Sequence, residues 1–128
     1  MNSILLDTHT FIWLSEDDQN LPDSLRETIE NTDKVFVSIV SFWEISIKLN
    51  IGKISLRDDF NSIESRFNST RFILLPISIK DTLQLSQLPM HHKDPFDRIL
   101  IAQAIHRSLV IASRDTAFDA YGVDRLWA

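Results

Sequence analysis

Short apolar runs alternate along this chain with longer segments whose apolar residues fall three and four apart. That alternation limits the fold more than any other feature. The runs at 4–6, 35–38, 72–75 and 109–112 are rich in Ile, Leu, Val and Phe and read as buried strands. A weaker fifth run lies at 123–126, after Gly122. Helical signals fill the intervals. Residues 8–14 begin a helix after Asp7, and Pro22 suits the first turn of the next, where Leu25 and Ile29 share a face. A helix over 41–51 is ended by Gly52. Phe60, Ile63 and Phe67 have helical spacing, and Ser78-Ile79-Lys80-Asp81 resembles a capping box opening a helix that ends near Pro89. Asp94-Pro95 opens a long helix to about Arg107. Strands alternating with helices predict an α/β fold, a parallel sheet with helices on both faces. With 128 residues and no linker, repeat or break in composition, the chain predicts one domain.

Composition narrows function mainly by exclusion. Thirteen Lys and Arg against eighteen Asp and Glu give a net charge of −5. That argues against holding nucleic acid by bulk positive charge. It leaves room for excess acid at a metal site, where a divalent cation inverts the local charge. With no cysteine there is no disulfide, thiolate zinc site, iron–sulfur cluster or cysteine nucleophile, and a reducing cytoplasm fits. No apolar run approaches the roughly 18 residues that span a bilayer. Residues 1–7 carry no basic residue before Asp7, so no signal peptide is expected.

The informative residues are carboxylates in apolar surroundings. Asp7 directly follows the first strand, and Asp115 follows the fourth after Ser113-Arg114. Ligands of open α/β sheets bind beyond the carboxyl ends of the strands, where both aspartates fall, although each could simply cap a helix or turn. Glu44 lies within Ile39-Val40-Ser41-Phe42-Trp43-Glu44-Ile45-Ser46-Ile47, whose neighbours mostly want a core. An unpaired carboxylate buried there is expensive. Two accounts stand open: Glu44 pairs with Lys48 on a solvated stripe, or it points inward and is neutralised by a cation. Asp94 as N-cap, Pro95 and Asp97 make a strong helix start that could justify both aspartates structurally. The reading adopted is Asp94 mainly as cap and Asp97 mainly as ligand.

Carboxylates gathered at one place repel one another unless a cation is present, and hard oxygen donors suit Mg²⁺ or Mn²⁺. Such a cation activates water and polarises a phosphoryl oxygen, the requirements of phosphodiester hydrolysis. No EF-hand pattern supports calcium. The four histidines form no zinc set, and neither a Gly-x-Ser-x-Gly motif nor a Gly-rich phosphate loop is present. Trp13, Trp43 and Trp127 are assigned to core or interface rather than base stacking, and Glu16-Asp17-Asp18 to a solvated turn.

Four segments carry a family resemblance. Leu5-Leu6-Asp7-Thr8-His9-Thr10-Phe11, Ser41-Phe42-Trp43-Glu44-Ile45-Ser46-Ile47-Lys48, His92-Lys93-Asp94-Pro95-Phe96-Asp97-Arg98 and Ser113-Arg114-Asp115 resemble, in order and spacing, the four motifs of PIN-domain proteins. Within that family they are most similar to VapC-type toxins of bacterial toxin–antitoxin pairs. The resemblance covers essentially the whole chain and implies a single PIN domain over 1–128, with strand order 3-2-1-4-5. It implies a cytoplasmic, Mg²⁺- or Mn²⁺-dependent endoribonuclease that is a homodimer and is neutralised by a cognate antitoxin. By motif match Asp7, Glu44, Asp97 and Asp115 form the catalytic and metal-binding quartet, with Asp94 as a fifth candidate ligand. Thr8 is expected to hold Asp7 or a water. Lys48, Arg98 and Arg114 lie beside motif acids and are expected either to meet the RNA backbone or to pair with those acids. Single-stranded or looped RNA is the expected substrate form.

Two rivals remain at this point. One is a PIN-like module that binds a partner and no longer cuts, against which the four intact acids weigh. The other is a different α/β phosphoryl enzyme. An aspartate-nucleophile phosphatase needs a second Asp where His9 stands, and a receiver domain needs an acidic pair after the first strand and a late Lys, neither of which is evident.

Overall fold

The computed structural model describes residues 3–128. Five strands, β1 (Ser3–Leu6), β2 (Lys34–Ser38), β3 (Ile73–Leu75), β4 (Val110–Ala112) and β5 (Arg125–Leu126), form one sheet in the order β3-β2-β1-β4-β5. Every neighbouring pair is parallel. Parallel pairs need long crossovers, and the helices supply them: α1 (Thr8–Ser15), α2 (Asp23–Glu30), α3 (Ile39–Asn50), α4 (Ile63–Asn68), α5 (Ile79–Ser86) and α6 (Pro95–Arg107). The expected α/β class and strand order are the ones found.

Alternation along the central strand explains why its sequence is continuously apolar. Ile4 and Leu6 enter one core with Phe11 and Ile12 of α1, Leu25 and Ile29 of α2, and Ile45 of α3. Leu5 points the other way, into a core with Leu100 and Ile101 of α6. A strand covered on both faces has no solvated side to mark with polar residues. Each of these three side chains is fully buried, a contribution of roughly 1.5–3 kcal/mol apiece.

Several boundaries move for local reasons. Helix α3 starts two residues before the expected position because Ser38 caps it, its hydroxyl accepting the Val40 N–H at 3.1 Å. Pro22 precedes α2 rather than lying in its first turn. The segment around Phe60 opens as a 3-10 turn (Phe60–Ser62) before α4. Gly52 has φ +73°, a left-handed conformation suited to the exit from α3. Among the described residues, no helix is long and apolar enough to cross a membrane.

The chain order reverses between β1 and β4, so the segments leaving these two strands emerge side by side. The Asp7 N–H donates to the Ala112 carbonyl at 3.1 Å, and the Thr10 hydroxyl donates to the same carbonyl at 3.1 Å. This switch point is where open α/β sheets bind ligands.

Candidate functional site

Four elements converge at that switch point. Asp7 caps α1, with Oδ1 accepting the Thr10 N–H at 2.9 Å. Asp115 caps the 3-10 turn Thr116–Tyr121 through the Ala117 N–H at 2.9 Å. Asp94 caps α6, its Oδ1 accepting the N–H groups of Phe96 at 2.8 Å and Asp97 at 3.2 Å. Asp97 lies one turn further, at the third helical position. Each cap uses one carboxylate oxygen on the backbone and leaves the other for the site.

Glu44 is 2% exposed and reaches the cluster from α3. Its Oε1 accepts the Thr8 hydroxyl proton at 2.6 Å, and its Oε2 accepts from Lys48 Nζ at 2.5 Å. The two accounts offered for this residue therefore merge. Glu44 points inward, as the functional account required, and its i,i+4 partner follows it in rather than lying on a solvated stripe. Burial would lower the Lys48 ammonium, but hydrogen bonding and charge from Glu44, with Asp94 and Asp97 behind it, hold it above its usual value. Thr8 holds Glu44, with its hydroxyl also 3.0 Å from Ser41 Oγ, rather than Asp7.

Electrostatic crowding is greatest at Asp97. Burial pushes its carboxyl up, and the negative charges of Asp94, Glu44, Asp7 and Asp115 add to that, raising it to about 8. Burial also raises Asp7, partly offset by hydrogen bonds from Thr10 and Ser113. Like charges brought together in a poorly solvated place favour the protonated form unless a cation joins them.

One member was not anticipated. His92 Nε2 lies 3.2 Å from Asp97 Oδ2 and 3.3 Å from Asp115 Oδ2. Its Nδ1 accepts the Asp94 N–H at 3.1 Å, so the ring proton belongs on Nε2, and His92 donates toward the two carboxylates. The Tyr121 hydroxyl fixes the loop by accepting the His92 N–H at 2.7 Å. The adjacent pair His91-His92 had no zinc spacing to betray this role. Its sequence signals were its place two residues before the cap of α6 and its membership of the motif segment that runs from His92 to Arg98.

The donor chemistry fits a hard divalent cation. Nε2 of His92 and one carboxylate oxygen each from Asp97 and Asp115 lie within 4.8 Å of one another, a set able to hold such an ion. Nε2 becomes a donor to metal only if its proton shifts to Nδ1, at the expense of the Asp94 hydrogen bond.

The remaining candidates divide. Arg114 forms no ion pair among the described residues; its guanidinium lies over the Trp13 ring, 4.6 Å from the centroid. Arg98 turns to the loop before α6, donating to the Pro89 carbonyl at 3.0 Å and approaching the Tyr121 hydroxyl at 3.4 Å. It pairs with no acid of the cluster. Trp43, expected in a core or interface, is 57% exposed and meets Phe96 edge-on. Trp13 is half-buried and lines the site beside Asp7.

Comparison with known proteins agrees with this architecture. The PIN domain family matches residues 4–124. Ribonuclease VapC22 of Mycobacterium tuberculosis is 26% identical over 117 residues, covering 90% of this chain and 88% of that protein. The DNA-bound VapBC structure from Salmonella typhimurium aligns with a TM-score of 0.73 at 20% identity over 98% of both chains. VapBC2 from Rickettsia felis, bound to a promoter DNA fragment, gives 0.72 at 15% identity over 98% of this chain and 99% of that one. FitAcB from Neisseria gonorrhoeae gives 0.67 at 21% identity over 96% of each. With the family match spanning nearly the whole chain and the carboxylates gathered where its sheet reverses order, this protein belongs to the PIN-domain family.

Proposed function

We propose that residues 1–128 act as one catalytic unit, a divalent-metal-dependent endoribonuclease that serves as the toxin of a toxin–antitoxin pair. The observation that carries this reading is geometric: the elements meeting at the switch point bring Asp7, Glu44, Asp94, Asp97 and Asp115 together, with oxygens of Asp97 and Asp115 and Nε2 of His92 within 4.8 Å of one another. Acids gathered in this way suit a bound cation. In this reading Asp7, Asp97, Glu44 and Asp115 hold Mg²⁺ or Mn²⁺, with Asp94 close by as cap and reserve ligand. The bound ion supplies activation of water and polarisation of a phosphoryl oxygen.

The chain's own residues prepare the site. Thr10 and Ser113 orient Asp7. Thr8 and Lys48 hold Glu44 in place and offset part of its charge. His92 keeps the Asp97 and Asp115 side chains facing one another. Lys48 and Arg114 are the cations best placed to meet RNA, whereas the contacts of Arg98 favour a role in anchoring the loop.

The relatives support the rest of the reading. VapC22 is a ribonuclease, and the VapBC and FitAB structures were obtained with DNA. The family resemblance adds a cognate antitoxin, which covers this site in the cytoplasm until it is lost. A homodimer is supported by apolar side chains left open on the edge strand β3 and on α5, among them Leu74, Leu83 and Ile79, the last 80% exposed; patches of this kind mark interfaces. The test is purified protein with RNA, with Mg²⁺ or Mn²⁺ and with chelator, beside Asp7→Asn. Cleavage only by the metal-supplied wild type is expected. Equal cleavage in all samples would overturn the metal mechanism. Expression of the chain alone should arrest growth, and co-expression of a neighbouring small reading frame should relieve the arrest.

A further inference from the structure

Beside the acids lies a cavity of about 290 Å³, lined by Asp7, His9, Trp13, Arg114 and Asp115. Three of these five side chains are flat. Trp13 packs against the core beneath it and is braced edge-on by Trp127, with ring centroids 6.1 Å apart. The Arg114 guanidinium rests on the Trp13 ring, although Asp115 is its immediate neighbour in the chain. The exposed His9 ring lies 5.7 Å from the Trp13 ring at an inclination of 46°. A guanidinium is planar, and an aromatic ring on one side leaves the other for a second stacked plane.

We propose that this cavity receives one unpaired nucleobase of single-stranded RNA, stacked on Arg114 and flanked by the inclined His9 ring, next to the phosphodiester that the acids engage. The inference rests on the ribonuclease reading and names how that substrate is gripped. Three considerations lead to it. Beyond the phosphodiester that the acids engage, a second phosphate in this cavity would be repelled by Asp7 and Asp115, whereas a neutral base would not be. The volume of about 290 Å³ stands just below the range of small-ligand clefts, about 300–1,000 Å³, and has room for a base. And a chain with net charge −5 cannot hold RNA chiefly by neutralising phosphates; stacking supplies affinity that does not depend on net charge. Only a base freed from its helix presents both faces, so the slot selects looped or single-stranded RNA.

The test uses a labelled single-stranded RNA of roughly 12 nucleotides and a set of the same strand lacking one base at a time. Binding is measured on the Asp97→Asn protein in Mg²⁺, so that the RNA stays intact, and wild-type cleavage is followed in parallel. Removal of one particular base should weaken binding about tenfold, and removal of distant bases should not. His9→Ala and Arg114→Lys should each weaken the intact strand and abolish the distinction between intact and base-less strands. His9→Tyr, which keeps an aromatic plane, should restore it. Arg114→Lys keeps the charge and removes the plane, so parental binding by that variant would mean a simple charge contact and overturn the slot. A flat profile across the base-less strands would overturn it as well. If the wild type cleaves RNA while the profile is flat, the slot fails and the ribonuclease stands. A clear profile without metal-dependent cleavage upholds the slot and overturns the ribonuclease reading. Both substituted residues are exposed, and thermal unfolding of each variant checks that its fold is retained.

Discussion

Asp81 and Asp97 occupy the same position in their helices, the third residue after a polar cap, yet they meet opposite fates. Asp81 closes a capping box with Ser78, its Oδ2 accepting the Ser78 N–H at 2.9 Å. Helix α6 packs across α5 and brings Gln103 Nε2 to 3.2 Å and Arg107 Nη2 to 3.4 Å of the same oxygen. Burial alone would raise the Asp81 carboxyl, but the Ser78 backbone, Gln103 and Arg107 together hold it below the usual carboxylate range. Asp97 has no matching backbone donor to grip, because the N–H of its cap Asp94 goes to His92 Nδ1 at 3.1 Å instead. Against one donor, His92 Nε2 at 3.2 Å, stand four acids, and the Asp97 carboxyl rises to about 8. Among the described residues, Asp81 has three donors on one oxygen and no acid beside it, whereas Asp97 meets more acids than donors.

The comparison breaks first, and most visibly, on activity. Asp97→Asn should lower metal-dependent RNA cleavage by on the order of 100-fold or more, and Asp81→Asn should leave cleavage per folded molecule unchanged; steady-state rates on both proteins check this. The second contrast is stability. Asp81→Asn leaves Arg107 without its partner and weakens the capping box, and should cost about 2 kcal/mol in urea unfolding, discounted because Arg107 is 32% exposed. An Asp81→Asn protein as stable as the parent would remove the distinction altogether.

Titration sharpens the contrast. The folded Asp97 carboxyl titrates above its unfolded value, so the native state holds the extra proton between pH about 4 and about 8. Stability in chelator should therefore fall as pH rises through that window, by on the order of 2 kcal/mol, since the side chain keeps partial access to water. Asp97→Asn should flatten the slope. Asp81 works in the other sense: its folded value is depressed, so its contribution is present above the unfolded value and is lost as pH falls below about 4. Urea midpoints across pH in chelator report both.

The smallest effect is the sign of Asp97→Asn itself. In chelator above about pH 8, where the parent's Asp97 is charged, it should stabilise the fold by about 1 kcal/mol through relief of repulsion, less the roughly 0.3–1 kcal/mol that a charged acid contributes at a helix N-terminus. Added Mg²⁺ should then raise the melting temperature of the wild type more than that of the variant. Destabilisation in chelator together with a wild-type response to Mg²⁺ would make Asp97 a cap and pass the ligand role to Asp94.

Much was legible in order along the chain. The runs at 4–6 and 35–38 are strands because Ile, Leu, Val and Phe there have no polar face to show, and Asp94-Pro95 starts a helix because cap and fixed φ are local properties. Asp7 and Asp115 fall at strand ends by counting alone. The partners of these residues were not legible. Thr8 meets Glu44 across 36 positions, and His92 meets Asp115 across 23. Arg98 and Arg114 stand beside acids in sequence, but one turns to Pro89 and Tyr121 and the other to Trp13.

The physical reason is range. Periodicity, capping and turn chemistry act over a few residues, so segment type, segment order and the parallel α/β class follow from the amino acids in their places. Which donors surround a carboxylate depends on side chains delivered by other elements once the sheet has closed its order. Asp81 and Asp97 carry the same local signature, and only the packing of α6 on α5 and the adjacency of β1 and β4 made one a fastening and placed the other in the acidic cluster.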